Sequence, residues 1–526
     1  MPRLVALVAL VALGVAAGVE TTGAVKEGVV TLPKAPRTQG FGLCAWSPRA
    51  DALLVCQHGD YVEQRSIFGG RQGYLLSAYY IVDAATGKAA PFCRAHECFW
   101  TPDGRLLARG YAPFDTKDVE ALTFNPGQHG NPSACTILER DGRVGGELTT
   151  RAIECVPSPD GKRFLMTQEL VGRNNYHCLK RLVVEALGGK ATTILPPIAE
   201  GPGRLVGFRH GVRWLTPGRF RADVVDMAAA DAARAMPGMW LGVTPDWFDY
   251  ELAKGAWEKL TGEALDDARA EQYPLDGGGE AIVKPGRIDV LVAGKRSTLA
   301  WPEAKAMHIE VRAASADGAR LFVCVEEPQM GKGGDGFGAP GAPLGGAPQP
   351  AALERGYYAL NIATGSKTRV DVKREGMWNS SFSVCSYLED GTLLIIPDDA
   401  PAATLDEATG TLAPFAVPGF AWGKFIISKW ACPLRDSFGR GRAAGSGRVA
   451  ALARQGRFVG TPHALVVVRV KGAAGCLAVP AGFPLGDRSF LHWAPDGHAL
   501  LVTSHDGAQL WLTRGVPSVR PAGGSL

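Results

Sequence analysis

Trp100-Thr101-Pro102-Asp103-Gly104, leading into Leu106-Leu107, reads as the end of one strand, a tight turn and the start of another. Proline presets φ, aspartate bonds its own backbone, and glycine accepts the positive φ that closes the turn. The same text recurs at Ser158-Pro159-Asp160-Gly161 before Phe164-Leu165-Met166, and in Trp46-Ser47-Pro48 before Leu53-Leu54-Val55. Weaker copies stand at Ser315-Ala316-Asp317-Gly318 before Leu321-Phe322-Val323, and at Glu389-Asp390-Gly391 before Leu393-Leu394. The last is Trp493-Ala494-Pro495-Asp496-Gly497 before Leu500-Leu501-Val502.

A second hairpin follows several of these. Tyr79-Tyr80-Ile81-Val82-Asp83-Ala84-Ala85-Thr86-Gly87 and Tyr357-Tyr358-Ala359-Leu360-Asn361-Ile362-Ala363-Thr364-Gly365 are near copies, and Asp406-Glu407-Ala408-Thr409-Gly410 is a shorter relative. Two hairpins per unit make four strands per unit. Asp103 and Asp160 lie about 57 residues apart, and Asp160 to Asp317 is about three times 52. That period suits the four-stranded blade of a β-propeller with generous loops.

These residues resemble the WD40-like repeat of TolB-type β-propellers: strand, Trp-Ser-Pro-Asp-Gly turn, strand, then a Tyr-x-x-Asp-x-x-Thr-Gly turn. The resemblance covers about 20 residues at each of six places. It implies an all-β propeller and says little about activity. With the first hairpin already near Gly40, a separate N-terminal α/β domain like that of TolB is not expected.

The expected architecture is a propeller over 25–515 of eight blades, with seven as the alternative. First hairpins fall near Cys44, Cys98, Cys155, Arg312, Cys385 and Phe490, with a degenerate one at Leu205 to Leu215 and another unit from about Phe420. The strand Val29-Val30-Thr31-Leu32 is expected to supply the outer strand that the last blade lacks, closing the ring. Met227 to Gly279 reads as a helical insertion anchored by Trp247, Leu252, Trp257, Leu260 and Leu265. Gly331 to Pro350 reads as a flexible Gly/Pro/Ala-rich loop, and Ser437 to Gly447 as another.

The composition agrees. The 67 Gly and 36 Pro are about a fifth of 526 residues, against roughly 12% in ordinary globular chains. Apolar residues at 46% leave ample material for a core. The charges nearly balance, with 56 Lys and Arg against 52 Asp and Glu, so no nucleic-acid partner is expected. The one basic cluster, Arg435 to Arg448, has only Phe438 for stacking and reads as a solvated loop.

Met1-Pro2-Arg3 followed by the apolar run Leu4 to Val19, with Ala16-Ala17-Gly18 as cleavage site, reads as a signal peptide over 1–18. The run is shorter than the ~18 to 20 residues that span a bilayer. A secreted or periplasmic location with no membrane span after signal removal is therefore expected. An exported chain can hold disulfides, and its eleven cysteines all lie beyond the signal. Cys98, Cys155 and Cys385 stand five residues before the turn aspartate, and Cys44 stands five before the corresponding Arg49. Cys56 and Cys324 stand seven after the turn position. Cys44 with Cys56 is the candidate cross-strand disulfide, the rival being two reduced thiols.

Signatures of chemistry are few. The repeat runs to about Thr513, so no C-terminal peptidase domain is expected, and these residues carry no Gly-x-Ser-x-Gly elbow, Walker loop, His-Glu-x-x-His or EF-hand loop. Cys93-Arg94-Ala95-His96-Glu97-Cys98 lacks a partner knuckle and reads as structural. So do His492, His498 and His505-Asp506, while Asp266-Asp267, Asp398-Asp399 and Asp406-Glu407 read as solvated pairs. No catalytic residue, metal or cofactor is expected. The leading reading is an exported binding or scaffold protein for a protein or glycan partner in the cell envelope or exterior. The alternatives are a propeller enzyme acting on carbohydrate through carboxylates at the channel mouth, and a propeller serving a separately encoded peptidase.

Overall fold

The computed structural model describes residues 28–513 except 65–70, 118–132, 170–179, 200–201, 203, 209–211, 229–244, 276–278, 316, 327–352, 371–381, 389–390, 398–402, 416–424, 432–448, 456–462, 469–473, 478, 487–488 and 495–498. The expected signal segment 1–18, the loop 331–350 and the loop Ser437 to Gly447 lie outside the described residues.

The turn signatures close hairpins between the first two strands of successive antiparallel sheets, and the Asp-x-x-Thr-Gly turns join the last two. The first sheet contains Thr38–Trp46, Ala52–Gly59, Ser77–Asp83 and Ala89–Ala95, with Ala112–Pro113 added at its edge. The second is Glu97–Trp100, Leu106–Arg109, Cys135–Leu138 and Val144–Glu147. The third starts with Glu154–Pro157, Arg163–Glu169, Lys180–Ala186 and Thr192–Ile194, and continues through a Lys180 to Phe208 pair into Arg204–Phe208, Arg219–Ala228, Asp246–Glu251 and Ala256–Lys259. After 370 come the sheets 382–414 and 425–477, each again of four strands. The chain is an all-β β-propeller of four-stranded units.

Packing between neighbours makes the core. Leu54, Cys56 and Ile81 of the first sheet meet Cys98, Leu106 and Leu138 of the second. Leu107 and Ile137 of the second meet Cys155, Phe164 and Met166 of the third. The ring closes as expected: Gly28–Thr31 pairs with Gln509–Thr513 from the other end of the chain, Val30 opposite Leu510. Trp46, Leu53 and Val55 then pack on Leu501, Leu510 and Leu512.

Three expectations need correction. The described part of the segment 227–279 (227–228, 245–275 and 279) is not mainly helical. It holds the strands Asp246–Glu251, Ala256–Lys259 and Glu271–Pro274 around one eight-residue helix, α1, at Gly262–Arg269. The tryptophans there serve a strand period: Phe248 and Tyr250 lie on one face, where Trp257 stacks against Phe208 and crosses Phe220 edge-on. The hairpin read at Leu205 to Leu215 does not pair with itself. Arg204–Phe208 and Arg213–Thr216 each pair with the long strand Arg219–Ala228. Finally, Cys44 is opposite Val55, so Cys56, the next residue, projects from the other face of the sheet. Register shifts between Thr38 and Cys44 set this alignment. Cys56 is buried with Cys93 and Cys98 instead.

A further four-stranded sheet stands where no turn signature marks one. It consists of Glu271–Pro274, Glu280–Lys284, Arg287–Val292 and Lys295–Ala300. It packs through Tyr273, Ile288, Val290 and Leu299 on the next sheet, which runs His308–Ala314, Arg320–Glu326, Gly356–Asn361 and Ser366–Val370.

Candidate functional site

Antiparallel strands send alternate connections to opposite ends of the ring. Among the described residues, the Pro-Asp-Gly and Thr-Gly turns lie at one end. The turn Pro285-Gly286 and the links between sheets lie at the other. At that second end a cavity of about 570 Å³ opens between the 271–300 and 308–370 sheets. Asp266 and Arg269 of α1, Lys284 and Arg287 of the Pro285-Gly286 turn, and Lys305 and His308 of the next link line it.

Behind this lining lies a network of buried charge. Asp289 is 1% exposed, and Lys284 is 4% exposed with its Nζ 2.9 Å from the Asp289 carboxylate. Lys284 also pairs with Asp267 of α1. Arg296 bonds Asp289 at 3.2 Å and Glu263 at 3.0 Å, and Arg287 bonds Glu263 at 3.0 Å. Burial works to raise both aspartates. Hydrogen bonds from Arg296 and Lys284 nevertheless hold Asp267, and from Lys284 and Thr298 hold Asp289, below the ordinary carboxylate value.

Oxygens of Glu263, Asp267 and Asp289 lie within 4.8 Å of one another, a spacing that would suit a cation. The Lys284 ammonium sits among them, so the protein supplies that charge itself. The network ties α1 to the sheet and gives the cavity a firm wall.

Asp266 and Asp267, read from sequence as a solvated pair, therefore divide: Asp266 is exposed at the cavity and Asp267 is locked in the network. Asp406 receives the backbone N–H groups of Ala408 and Thr409 and shapes its turn, while Glu407 approaches Arg320 at 3.9 Å. His492 is buried and His505 exposed. Asp398-Asp399, His498 and the Arg435 to Arg448 cluster lie outside the described residues. Lys284, Asp289 and Arg296 were missed altogether. Lys284-Pro285-Gly286-Arg287 between Ala281-Ile282-Val283 and Ile288-Asp289-Val290 is a hairpin signal that could have found them.

The Cys93 to Cys98 stretch is structural at each position described. The Arg94 guanidinium is 1% exposed and donates to the carbonyls of Phe114, Leu76 and Pro36. His96 Nδ1 lies 3.1 Å from the Ser133 hydroxyl. Burial, then the Arg109 charge, push its imidazole down to about 4.

No protein-family model and no curated protein matches the chain. Solved structures do. The C-terminal WD40 domain of Sif2 is 10% identical with a TM-score of 0.36, covering 93% of this chain and 100% of that one. The tricorn protease is 11% identical with a TM-score of 0.24, over 88% of this chain and 42% of its own. A prolyl endopeptidase is 14% identical with a TM-score of 0.33, over 68% and 46%. The chain thus spans less than half of those two enzymes, and the fold assignment rests on the sheets themselves. Among the described residues no helix is long and apolar enough to cross a membrane.

Proposed function

We propose that this chain is an exported binding or scaffold protein, a TolB-type WD40-like propeller that recognises a protein or glycan partner in the cell envelope or exterior. The observation that carries the reading is the cavity of about 570 Å³ at the end away from the repeat turns, lined from two neighbouring sheets and α1. Clefts between rigid sheets are where propellers present side chains to a ligand. Export rests on the apolar run Leu4 to Val19 and its Ala16-Ala17-Gly18 cleavage text.

Carboxylate catalysis on sugar is the less favoured reading. A general acid needs a raised pKa. The clustered aspartates here are held ionised by Lys284 and Arg296 instead.

Site-specific photo-crosslinking in the native cell envelope tests the proposal. A crosslinker at position 305, on the cavity rim, is expected to capture a discrete protein or glycan-bearing partner. One at the exposed position 364, on the opposite end, is expected to capture none. Equal labelling from both ends, or none from position 305, refutes the assignment.

A further inference from the structure

The inner-strand cysteines of three sheets meet cysteines of the sheet before them. Cys98 of the second sheet packs with Cys93 and Cys56 of the first. Cys155 of the third packs with Cys135 of the second. Cys385 packs with Cys324 of the preceding sheet. The common slot on the turn register therefore places a thiol at successive interfaces, each in a cluster that also holds a thiol of the sheet before.

The three clusters differ in their electrostatics. Cys155 and Cys135 are packed in one buried cluster, and Arg109 stands directly opposite Cys135 on the adjoining strand of the second sheet. Arg109 is fixed in place by Glu97 at 3.0 Å and by the Ile153 carbonyl, two residues before Cys155. The neighbouring Cys155 thiol first, and then the Arg109 charge, hold Cys135 below its ordinary value. Burial instead pushes Cys98 well up, and Cys324 to about 11. Cys135 is thus drawn towards the thiolate where Cys98 and Cys324 are pushed away from it, and a second thiol shares its cluster.

We infer that Cys135 and Cys155 are a peroxide-reactive pair that closes into a disulfide between the second and third sheets. Cys135 is 0% and Cys155 8% exposed, so the oxidant must be close to water in size, and hydrogen peroxide is. Cys135 gives up its proton as its sulfur attacks one peroxide oxygen, the O–O bond breaks, and the departing hydroxide takes up that released proton as water. The resulting sulfenic acid is attacked by the Cys155 sulfur. The S–S bond forms, the S–O bond breaks, and hydroxide leaves with the Cys155 proton as a second water. Two thiols lose two electrons and one peroxide gains them. The link adds a covalent tie between two sheets that already meet through apolar side chains and bonds such as that from Arg109 to the Ile153 carbonyl, and a thiol reductant reverses it.

Peptide mapping of the full chain settles the matter. Arg140, Arg143 and Arg151 lie between the two cysteines, so trypsin separates them unless they are joined. After peroxide treatment and alkylation under denaturing conditions, the two peptides are expected as one species, two hydrogens lighter, that reductant resolves. Cys155→Ser is expected to leave Cys135 as a sulfenic acid trapped by dimedone, at least tenfold more than in the wild type. Recovery of both cysteines alkylated from treated wild-type protein, or Cys135 joined to another cysteine, overturns the inference. If Cys155→Ser does not fold, the wild-type map alone decides.

Discussion

The Trp46 indole Nε1 donates to the backbone carbonyl of His492 at 3.5 Å, across 446 residues of chain. Trp100 makes the same bond to Ala45 of the first sheet at 3.1 Å, and Trp214 to Val156 at 2.9 Å. Trp46 and Trp100 thus each reach back to the sheet before their own, while Trp214 reaches the first strand of the sheet it belongs to. For Trp46 that sheet is the last one, so the bond belongs to the ring and not to the order of the chain.

Loss of one such bond should be measurable by itself. Trp100→Phe keeps the ring against the core and removes the donor to the Ala45 carbonyl. It is expected to cost about 1 kcal/mol in urea unfolding. Trp46→Phe, whose bond is longer, should cost less. Equal or reversed costs would show that packing, not the hydrogen bond, dominates this position.

Closure by the N-terminal strand gives a graded test. Leu32 is 2% exposed, and its backbone N–H bonds the Ala508 carbonyl at 2.8 Å. Leu32→Ala is expected to destabilise by about 2 to 4 kcal/mol. Val29, 42% exposed on the same strand, should change stability by less than about 0.5 kcal/mol on replacement by alanine. Comparable values at the two positions would contradict the closure.

His96 couples stability to pH. Its imidazole is depressed from 6.5 to about 4, first by burial and then by Arg109. A depressed folded value means the unfolded chain binds the proton first, so the stability it contributes is full above about pH 6.5 and is lost as pH falls towards 4. His96→Gln should flatten the stability profile across that window, as read by denaturation at successive pH values. An unchanged slope would mean that His96 does not report there.

The buried network predicts a non-additive pair. Lys284→Met leaves Asp289 buried without its ammonium and should cost about 3 to 5 kcal/mol. Adding Asp289→Leu should recover much of that loss in a double-mutant cycle, with Arg287 and Arg296 left to Glu263 and Asp267. Strict additivity would place Lys284 and Asp289 in separate interactions.

Two equivalent turns separate backbone strain from crowding. Gly365 and Gly410 have φ of 73° and 72°. A Cβ at 365 meets nothing within 4 Å, whereas one at 410 lies 2.2 Å from the Arg369 carbonyl of the preceding sheet. Gly365→Ala should therefore cost about 1 kcal/mol, and Gly410→Ala clearly more. Similar thermal shifts for the two would remove the proposed inter-sheet contact.

The repeat was legible wherever a turn carried its own chemistry. Ser158 bonds Asp160 at 2.6 Å and Ser315 bonds Asp317 at 2.6 Å, contacts made within two residues and so written into local text. The 271–300 sheet escaped because its turns, at Pro285-Gly286 and Ala293-Gly294, use other residues. The strand Asp246–Glu251 escaped because large aromatics in short runs suit a helix face and a strand face alike.

Position along the turn told which residues share a slot, and so found Cys98, Cys155 and Cys385 as equivalents and Val29 to Leu32 as the closing strand. What faces each slot was settled by tertiary structure. The register shifts that set Cys44 opposite Val55 come from pairing along the whole strand. The partners of Cys98 and Cys155 arrive from neighbouring sheets, and Glu263 and Asp267 reach Lys284 and Asp289 from a helix outside their sheet. A turn is decided by forces acting over a few residues, whereas the meeting of two sheets depends on how a curved ring of them closes.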